Sequence, residues 1–122
     1  MTMHHHDAEA EALSDAITAF ARERTKLDPV PLGAPRSAAE LLADCGQTIT
    51  ADGLGGPEAM RLFVDVLAPA SLSVDYPRYL SFVPAAPTEA AVLFDLAVGA
   101  SSIYGGSWLE GAGAVFGEKS GW

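Results

Sequence analysis

A run of eleven residues from Ala90 to Ala100, "AAVLFDLAVGA", is apolar at every position except Asp95. Thr88 precedes it as an N-cap residue, so we predict a helix over residues 88–101. A helix that is apolar on nearly all sides has to be covered on all of them. This one is too short to cross a bilayer, which takes about 20 apolar residues. Because the other helices of so small a chain are short, we expect that another protein surface covers part of it.

The composition allows one small domain and narrows the classes of partner. Apolar residues make up 49% of the 122 residues, which is enough for a core. The formal net charge of −9 argues against a nucleic-acid partner, because phosphate-binding surfaces need clustered cations. The single cysteine, Cys45, excludes a disulfide framework, and we predict a buried thiol in a cytoplasmic protein. Residues 1–6, with three consecutive histidines, are predicted to be a disordered or tag-like terminus rather than a signal peptide.

Three further helices are predicted from periodicity and capping signals. Residues 7–24 have helical apolar spacing and are predicted to form the first. Ser37 followed by Glu40 is a capping-box pattern, which predicts a short second helix, "AAELLADC", that stops near Gly46. Pro57 suits the first turn of a third helix. The predicted apolar faces are Leu13, Ile17, Phe20 and Ala21 in the first helix, and Met60, Phe63, Val64 and Leu67 in the third.

Proline and glycine separate these helices into segments. We predict that "LSFV", residues 80–83, is a short extended piece and that "YGGSW", residues 104–108, is a glycine turn. The residues after this turn have weak helical propensity, because glycine costs about 1 kcal/mol relative to alanine in a helix. The fold is therefore predicted to be mainly α, with the terminus at residues 1–6, helices and linkers over residues 7–54, and a helical interface and pocket-lining segment over residues 55–122.

The chain is poor in groups for acid–base catalysis. Histidine is confined to residues 4–6, which removes the commonest general base. The two lysines, Lys26 and Lys119, lie outside apolar sequence and are predicted to be surface residues. Asp95 is the exceptional carboxylate because apolar residues surround it. A structural partner and a catalytic role are both open for Asp95, and the structural partner is favoured.

An aromatic and glycine-rich stretch over residues 75–113 remains after this inventory. Its rings include Tyr79, Phe82 and Tyr104, which give shape and apolar contact without acid–base chemistry. Composition alone favours core packing for these rings, and the wall of a binding pocket is the alternative.

The order of several motifs in this stretch resembles the amino-terminal region of the pyridoxal-phosphate-dependent amino-acid decarboxylases of the aromatic-amino-acid and glutamate decarboxylase group. Members of that family carry "HPRY" or "HPxF", a short aromatic segment ending in proline, an apolar helix, and a glycine turn with a Ser-Trp pair. The motifs "YPRYLSFVP", "PTEAAVLFDLAVGA" and "YGGSW" follow the same order here. The upstream motifs "APRSAAELL" and "GGPEAMRLFVDVLAPAS" are also similar, and the resemblance is strongest over residues 55–116.

The resemblance implies a fold-type-I enzyme, a tight dimer whose amino-terminal helices wrap around the partner subunit. It implies that the segment matching Phe82, Val83 and Pro84 lines the substrate pocket. It also implies that the turn matching Tyr104 to Trp108 reaches the active site across the dimer interface. No catalytic residue and no metal ligand is predicted in the chain. The predicted substrate-binding residues are Tyr79, Phe82, Val83, Pro84, Tyr104, Gly106, Ser107 and Trp108.

Two departures from the family pattern shape the functional hypothesis. Tyr76 stands where the family usually has the histidine before "PRY". The chain also has no counterpart of the family's cofactor-binding residues, which are a phosphate-binding glycine and serine segment, a ring-stacking histidine, an aspartate for the pyridine nitrogen and the Schiff-base lysine. Pyridoxal chemistry needs that lysine, so the chain is not predicted to be catalytic alone.

We therefore predict a small, cofactor-lysine-free subunit of a split pyridoxal-phosphate-dependent amino-acid decarboxylase. It completes the dimer interface and lines the substrate pocket, while a large partner subunit binds pyridoxal phosphate covalently in a heterodimer or heterotetramer. The expected small-molecule partner is an amino acid, and neither nucleic acid nor a membrane is expected. The alternatives are a non-catalytic helical regulatory or structural module derived from such an enzyme, and an artificial fragment.

Overall fold

The structure, a computed structural model, describes residues 7–82 and 85–120. Helices make up 56% of the described residues, and these two ranges contain no strand, so the prediction of a mainly α chain is confirmed. The predictions for residues 1–6 lie outside them. The chain divides into two compact units, residues 1–86 and 87–122. The helices are α1 (Ala8–Thr25), α2 (Ala38–Cys45), α3 (Gly56–Leu62), α4 (Glu89–Ala100) and α5 (Trp108–Ser120), and α3 continues into a π-helical segment, Phe63–Leu67.

The first two helices begin at side-chain caps. α1 starts after Asp7, whose Oδ1 accepts a hydrogen bond from the amide of Ala10 at 2.9 Å. α2 starts after Ser37, whose hydroxyl accepts from the Glu40 amide at 3.3 Å, while the Glu40 carboxylate accepts from the Ser37 amide at 2.8 Å. This reciprocal pair satisfies two backbone donors and confirms the predicted capping box. α2 also ends at Gly46, as predicted.

The third helix begins as predicted and then changes its hydrogen-bonding pattern. α3 has Pro57 in its first turn, where the missing amide donor costs nothing. In the π-helical segment that follows, the Ala68 amide donates to the carbonyl of Phe63 at 2.9 Å. The sequence does not predict this wider turn, because over so few residues an α-turn and a π-turn share the same apolar spacing. Leu62 and Val66, on either side of the change, are buried.

α1 packs against α3. The two helices belong to different predicted segments, residues 7–54 and 55–122, and are nevertheless in contact. The rings of Phe20 and Phe63 meet edge to face, with centroids 5.4 Å apart and ring planes inclined by 76°. This is a favoured geometry for aromatic pairs. Both residues belong to the predicted apolar faces, so those faces meet in the fold.

The proline-rich linker between α1 and α2 lies along the chain that leaves the π-helical segment. The Leu32 carbonyl accepts a hydrogen bond from the Ser73 amide at 2.7 Å, and the Ala34 amide donates to the Pro69 carbonyl at 3.1 Å. Val30 is buried. These contacts give the linker a fixed path even though it has no secondary structure of its own.

Gly33, between the two hydrogen-bonded linker residues, meets a requirement that only glycine satisfies. Its φ is 72°, in the left-handed region where a Cβ is strained. A Cβ on Gly33 would also collide with the carbonyl oxygen of Ser71. The close approach of the two backbone segments therefore depends on glycine at this position.

We expect Gly33→Ala to destabilise the protein more than Gly53→Ala does. The two glycines have φ values of 72° and 75°, so both substitutions carry the left-handed penalty of about 1–2 kcal/mol. Only Gly33 has a backbone atom in the path of the new Cβ, whereas the space around Gly53 is open. Urea unfolding of the full chain, followed by far-UV circular dichroism, measures the difference. Equal losses of stability would show that the linker does not pack on Ser71.

The second unit consists of α4 and α5, joined by the predicted glycine turn. α4 begins after Thr88, whose hydroxyl accepts from the Ala91 amide at 3.2 Å, so the predicted cap is confirmed. No residue of α4 is buried, and Phe94 is 72% exposed. Within the described residues, α4 and the other helices all fall short of the length and apolar character needed to cross a membrane.

Residues 80–82 do not form the extended piece predicted for "LSFV". Phe82 has a φ of 62°, which bulky residues rarely adopt, and Val83 lies outside the described residues. The thiol of Cys45 also differs from its prediction, because it is half-buried rather than fully buried.

Candidate functional site

The predicted substrate-binding residues are divided between the two units, and each group is held by different contacts. Val83 and Pro84 lie outside the described residues. The first unit contains Tyr79 and Phe82, and the second contains Tyr104, Gly106, Ser107 and Trp108.

An ion pair fixes the segment that leads to Tyr79 against the end of α1. Arg24 Nη2 donates to Asp75 Oδ1 at 2.9 Å and to the hydroxyl of Ser73 at 3.5 Å. The Asp75 side chain is only 11% exposed. The hydrogen bond from Arg24 lowers the pKa of Asp75 and outweighs the opposite effect of burial. The ionised carboxylate is therefore part of the folded structure.

Two tight turns follow this ion pair. The Tyr76 amide donates to the carbonyl of Ser73 at 3.1 Å, and the Tyr79 amide donates to the carbonyl of Tyr76 at 2.9 Å. The turns leave Tyr79 half-buried, whereas Leu80 is exposed and Phe82 is 86% exposed. Phe82 thus presents almost its whole ring to solvent.

We expect Asp75→Asn to lower the free energy of unfolding at neutral pH by about 1 kcal/mol, because the charge-assisted hydrogen bond from Arg24 is lost. The pKa of Asp75 is lower in the fold than in the unfolded chain, where it is about 3.9. The ion pair therefore contributes fully above the unfolded value and is lost as the pH falls through the folded value. In urea unfolding of the full chain, the stabilities of wild type and variant should converge at acid pH.

Glu58→Gln is the matched control for this prediction. Glu58 also pairs with an arginine, Arg61, at 2.7 Å, but this pair is exposed and lies within one helix. Its loss should cost less than the loss of the Asp75 pair, because solvent screens an exposed ion pair. If Asp75→Asn costs no more than Glu58→Gln, the Arg24 contact does not hold the segment in place.

The turn between α4 and α5 is shaped by two glycines that contact Tyr104. A Cβ on Gly106 would overlap the Tyr104 ring, and a Cβ on Gly111 would overlap the Tyr104 carbonyl oxygen. Gly111 is buried and bends α5, with φ −136° and ψ 35°. The backbone of Tyr104 can therefore lie against α5 while its ring lies over Gly106. The outer sides of Tyr104 and Trp108 stay exposed.

Ser107 is the polar side chain of this turn. Its carbonyl accepts a hydrogen bond from the Gly111 amide at 3.1 Å. Its hydroxyl oxygen is buried and has no hydrogen-bond partner in the part of the chain that the structure describes. An unpaired buried hydroxyl costs about 1–3 kcal/mol, so this turn carries a local energetic cost.

We expect Gly111→Ala and Gly113→Ala to change the helicity of the chain in opposite directions. Alanine favours a helix over glycine by about 1 kcal/mol, and the space around Gly113 is open, so Gly113→Ala should raise helicity. Gly111→Ala forces the Tyr104 backbone away from α5 and should lower it. Far-UV circular dichroism of the full chain measures both. A rise in both variants would contradict the contact between Tyr104 and α5.

The residues present do not fit pyridoxal phosphate. Lys26 is exposed and paired with Glu23 at 2.8 Å, and Lys119 is exposed in the last turn of α5. An imine-forming lysine is instead held unprotonated by burial or by a neighbouring cation. Residues 7–82 and 85–120 also lack any group of three His, Cys, Asp or Glu side chains able to hold a metal ion. The turn between α4 and α5 instead offers the exposed rings of Tyr104 and Trp108.

The first unit contains an apolar groove that the sequence pattern does not reveal. Its volume is about 340 Å³. The apolar faces of α1 and α3, which form the two sides of the groove, are predicted from the sequence. The sequence feature that could have indicated a groove is the small size of Gly56 and Ala59, which lie opposite larger side chains. With no polar group to orient a ligand, the groove offers shape and apolar contact only. It is lined by Leu13, Ile17, Phe20, Gly56, Ala59, Met60 and Phe63, none of them a predicted site residue.

No protein-family model, curated protein or solved structure matches the chain. A function is therefore proposed from the motifs of residues 55–116 and from the exposed surfaces of the two units. Large apolar side chains are exposed on both units, among them Phe82 on the first and Phe94 on the second.

Proposed function

We propose that the chain is a small subunit of a pyridoxal-phosphate-dependent amino-acid decarboxylase and has no cofactor lysine of its own. A large fold-type-I subunit carries the cofactor, and this chain supplies part of the dimer interface and of the pocket wall. The observation that carries the proposal is the apolar surface that α4, Tyr104 and Trp108 leave exposed in the second unit. Contiguous exposed apolar surface marks sites of protein or ligand interaction.

The distribution of exposed side chains around α4 supports insertion into a larger fold. Leu93, Phe94, Leu96 and Val98 are all exposed. Successive helical residues are rotated by about 100°, so these four side chains point to different sides of the helix. A flat surface covers only one side, whereas a groove or a bundle covers several. Burial of each large side chain contributes about 1.5–3 kcal/mol, which favours a stable assembly.

The turn of the second unit suits the wall of a pocket for an amino acid. Tyr104 and Trp108 expose rings for apolar contact. Acid–base and imine chemistry belong to the large subunit in this proposal. A heterodimer or heterotetramer follows from the family resemblance. The lone cysteine favours a reducing compartment, so the proposal includes a cytoplasmic location.

Co-expression tests the proposal. The purified chain alone should bind no pyridoxal phosphate and show no visible absorption band. Together with a large chain that carries the cofactor lysine, sought in the adjacent reading frame, it should form a complex that has this band and releases carbon dioxide from an amino acid. Phe82→Leu and Tyr104→Leu should leave assembly intact but lower kcat/KM about tenfold, because both rings shape the pocket.

Ile49→Ala is the matched control. Ile49 is 89% exposed and so resembles Phe82 in accessibility, but it lies in the loop between α2 and α3, outside the pocket-lining segment. Its kcat/KM should equal that of the wild type. A complex that assembles without turnover would favour the non-catalytic module instead. A stable, cooperatively folding monomer that binds no large chain would contradict the subunit role altogether.

A further inference from the structure

Asp95 is a carboxylate set in the middle of the apolar surface of α4. One turn away on the same face lie Val92 and Val98. Glu89, the other acid of α4, lies in the first turn, where the helix dipole favours a negative charge. Asp95 has neither that advantage nor a good helix propensity. Its side chain is exposed and takes part in none of the hydrogen bonds or ion pairs found among residues 7–82 and 85–120. The local structure of α4 therefore does not explain Asp95.

A protein surface that covers this face of α4 has to meet the Asp95 carboxylate. Removing an ionised carboxylate from water without a partner is strongly unfavourable, whereas pairing it with a hydrogen-bonded cation offsets the loss. Arginine is the side chain best suited to such a pair at an interface, because its planar guanidinium donates two parallel hydrogen bonds to a carboxylate.

A second copy of this chain is poorly suited to supply that cation. Two α4 helices packed along this face would bring two Asp95 carboxylates together, and α4 has no basic residue. The chain has a net charge of −9, so two copies repel each other. Four of its seven cations already form ion pairs within the chain, namely Arg24, Lys26, Arg36 and Arg61.

We infer that α4 docks into an apolar groove of a different protein, whose wall carries an arginine opposite Asp95. The arginine fixes the position of α4 along the groove and its rotation, because only one placement pairs the two charges. The apolar residues around Asp95 supply contact area without selecting one rotation. The identification of this partner with the large decarboxylase subunit rests on the proposed function, whereas the chemistry of the groove does not.

Helical peptides test this chemistry without the cofactor or the large subunit. Fluorescently labelled peptides of about 20 residues, long enough to be helical in water, carry a leucine and alanine stripe with one arginine, glutamine or glutamate at its centre. Each is titrated with the full chain as wild type, as Asp95→Asn and as Glu89→Gln. Far-UV circular dichroism checks that each variant keeps the helicity of the wild type.

The arginine peptide should bind the wild-type chain about tenfold more tightly than the glutamine peptide, and the glutamate peptide should bind most weakly. Asp95→Asn should abolish this preference, and Glu89→Gln should retain it. Equal affinities of the arginine and glutamine peptides for the wild type would overturn the inference. So would a preference for arginine that survives in Asp95→Asn.

Sedimentation of the chain alone tests the second-copy alternative. The wild type should not dimerise through α4. If the wild type forms a dimer and Leu96→Glu abolishes it, the surface of α4 binds another copy of the chain, and the inference is overturned. The two proposals fail separately: arginine-selective binding without decarboxylase activity contradicts only the proposed function, and decarboxylase activity without arginine selectivity contradicts only the role of Asp95.

Discussion

The edge-to-face contact between Phe20 and Phe63 is the interaction on which the first unit depends. It joins α1 to the point where α3 changes into the π-helical segment, beside the buried side chains of Leu62 and Val66. The linker hydrogen bonds and the ion pair at the end of α1 add further contacts to the chain that leaves the π-helical segment. Few side chains are buried around it, and burial of apolar surface is the main favourable term in folding. The loss of one such contact therefore removes a large share of the unit's stability.

The second unit, unlike the first, is stabilised by local interactions more than by tertiary packing. Its helices are defined by local features, a hydroxyl cap at Thr88 and a bend at Gly111. Among residues 85–120, only Gly111 is buried, so the unit has almost no apolar core. Isolated helices of about 12 residues are marginal in water. The segment with the strongest apolar character is thus also the one with the least internal support, which is the physical basis of the proposal that another protein covers it.

The sequence predicts helix starts better than it predicts contacts between helices. Ser37, Pro57 and Thr88 act within one turn of their own positions, so their local sequence is sufficient to place three helix starts. The Arg24–Asp75 pair joins residues far apart in the chain, and no short-range pattern predicts it. The left-handed conformation of Phe82 depends on the path of the surrounding chain and contradicts the extended piece expected there. Of the candidate site, composition and the motif resemblance indicate the rings, but they do not indicate that Gly106 and Gly111 contact Tyr104.

The exposed apolar side chains of α4 have a consequence for the degradation of the chain in a cell. Exposed apolar segments are what chaperones and proteases act on when they remove unfolded or unassembled chains. The partner proposed for α4 would hide this segment, and molecules in excess of that partner would be degraded first. The abundance of the chain would then follow the abundance of its partner, without a separate regulator. The same side chains that leave the helix without internal support would thereby set the stoichiometry of the complex.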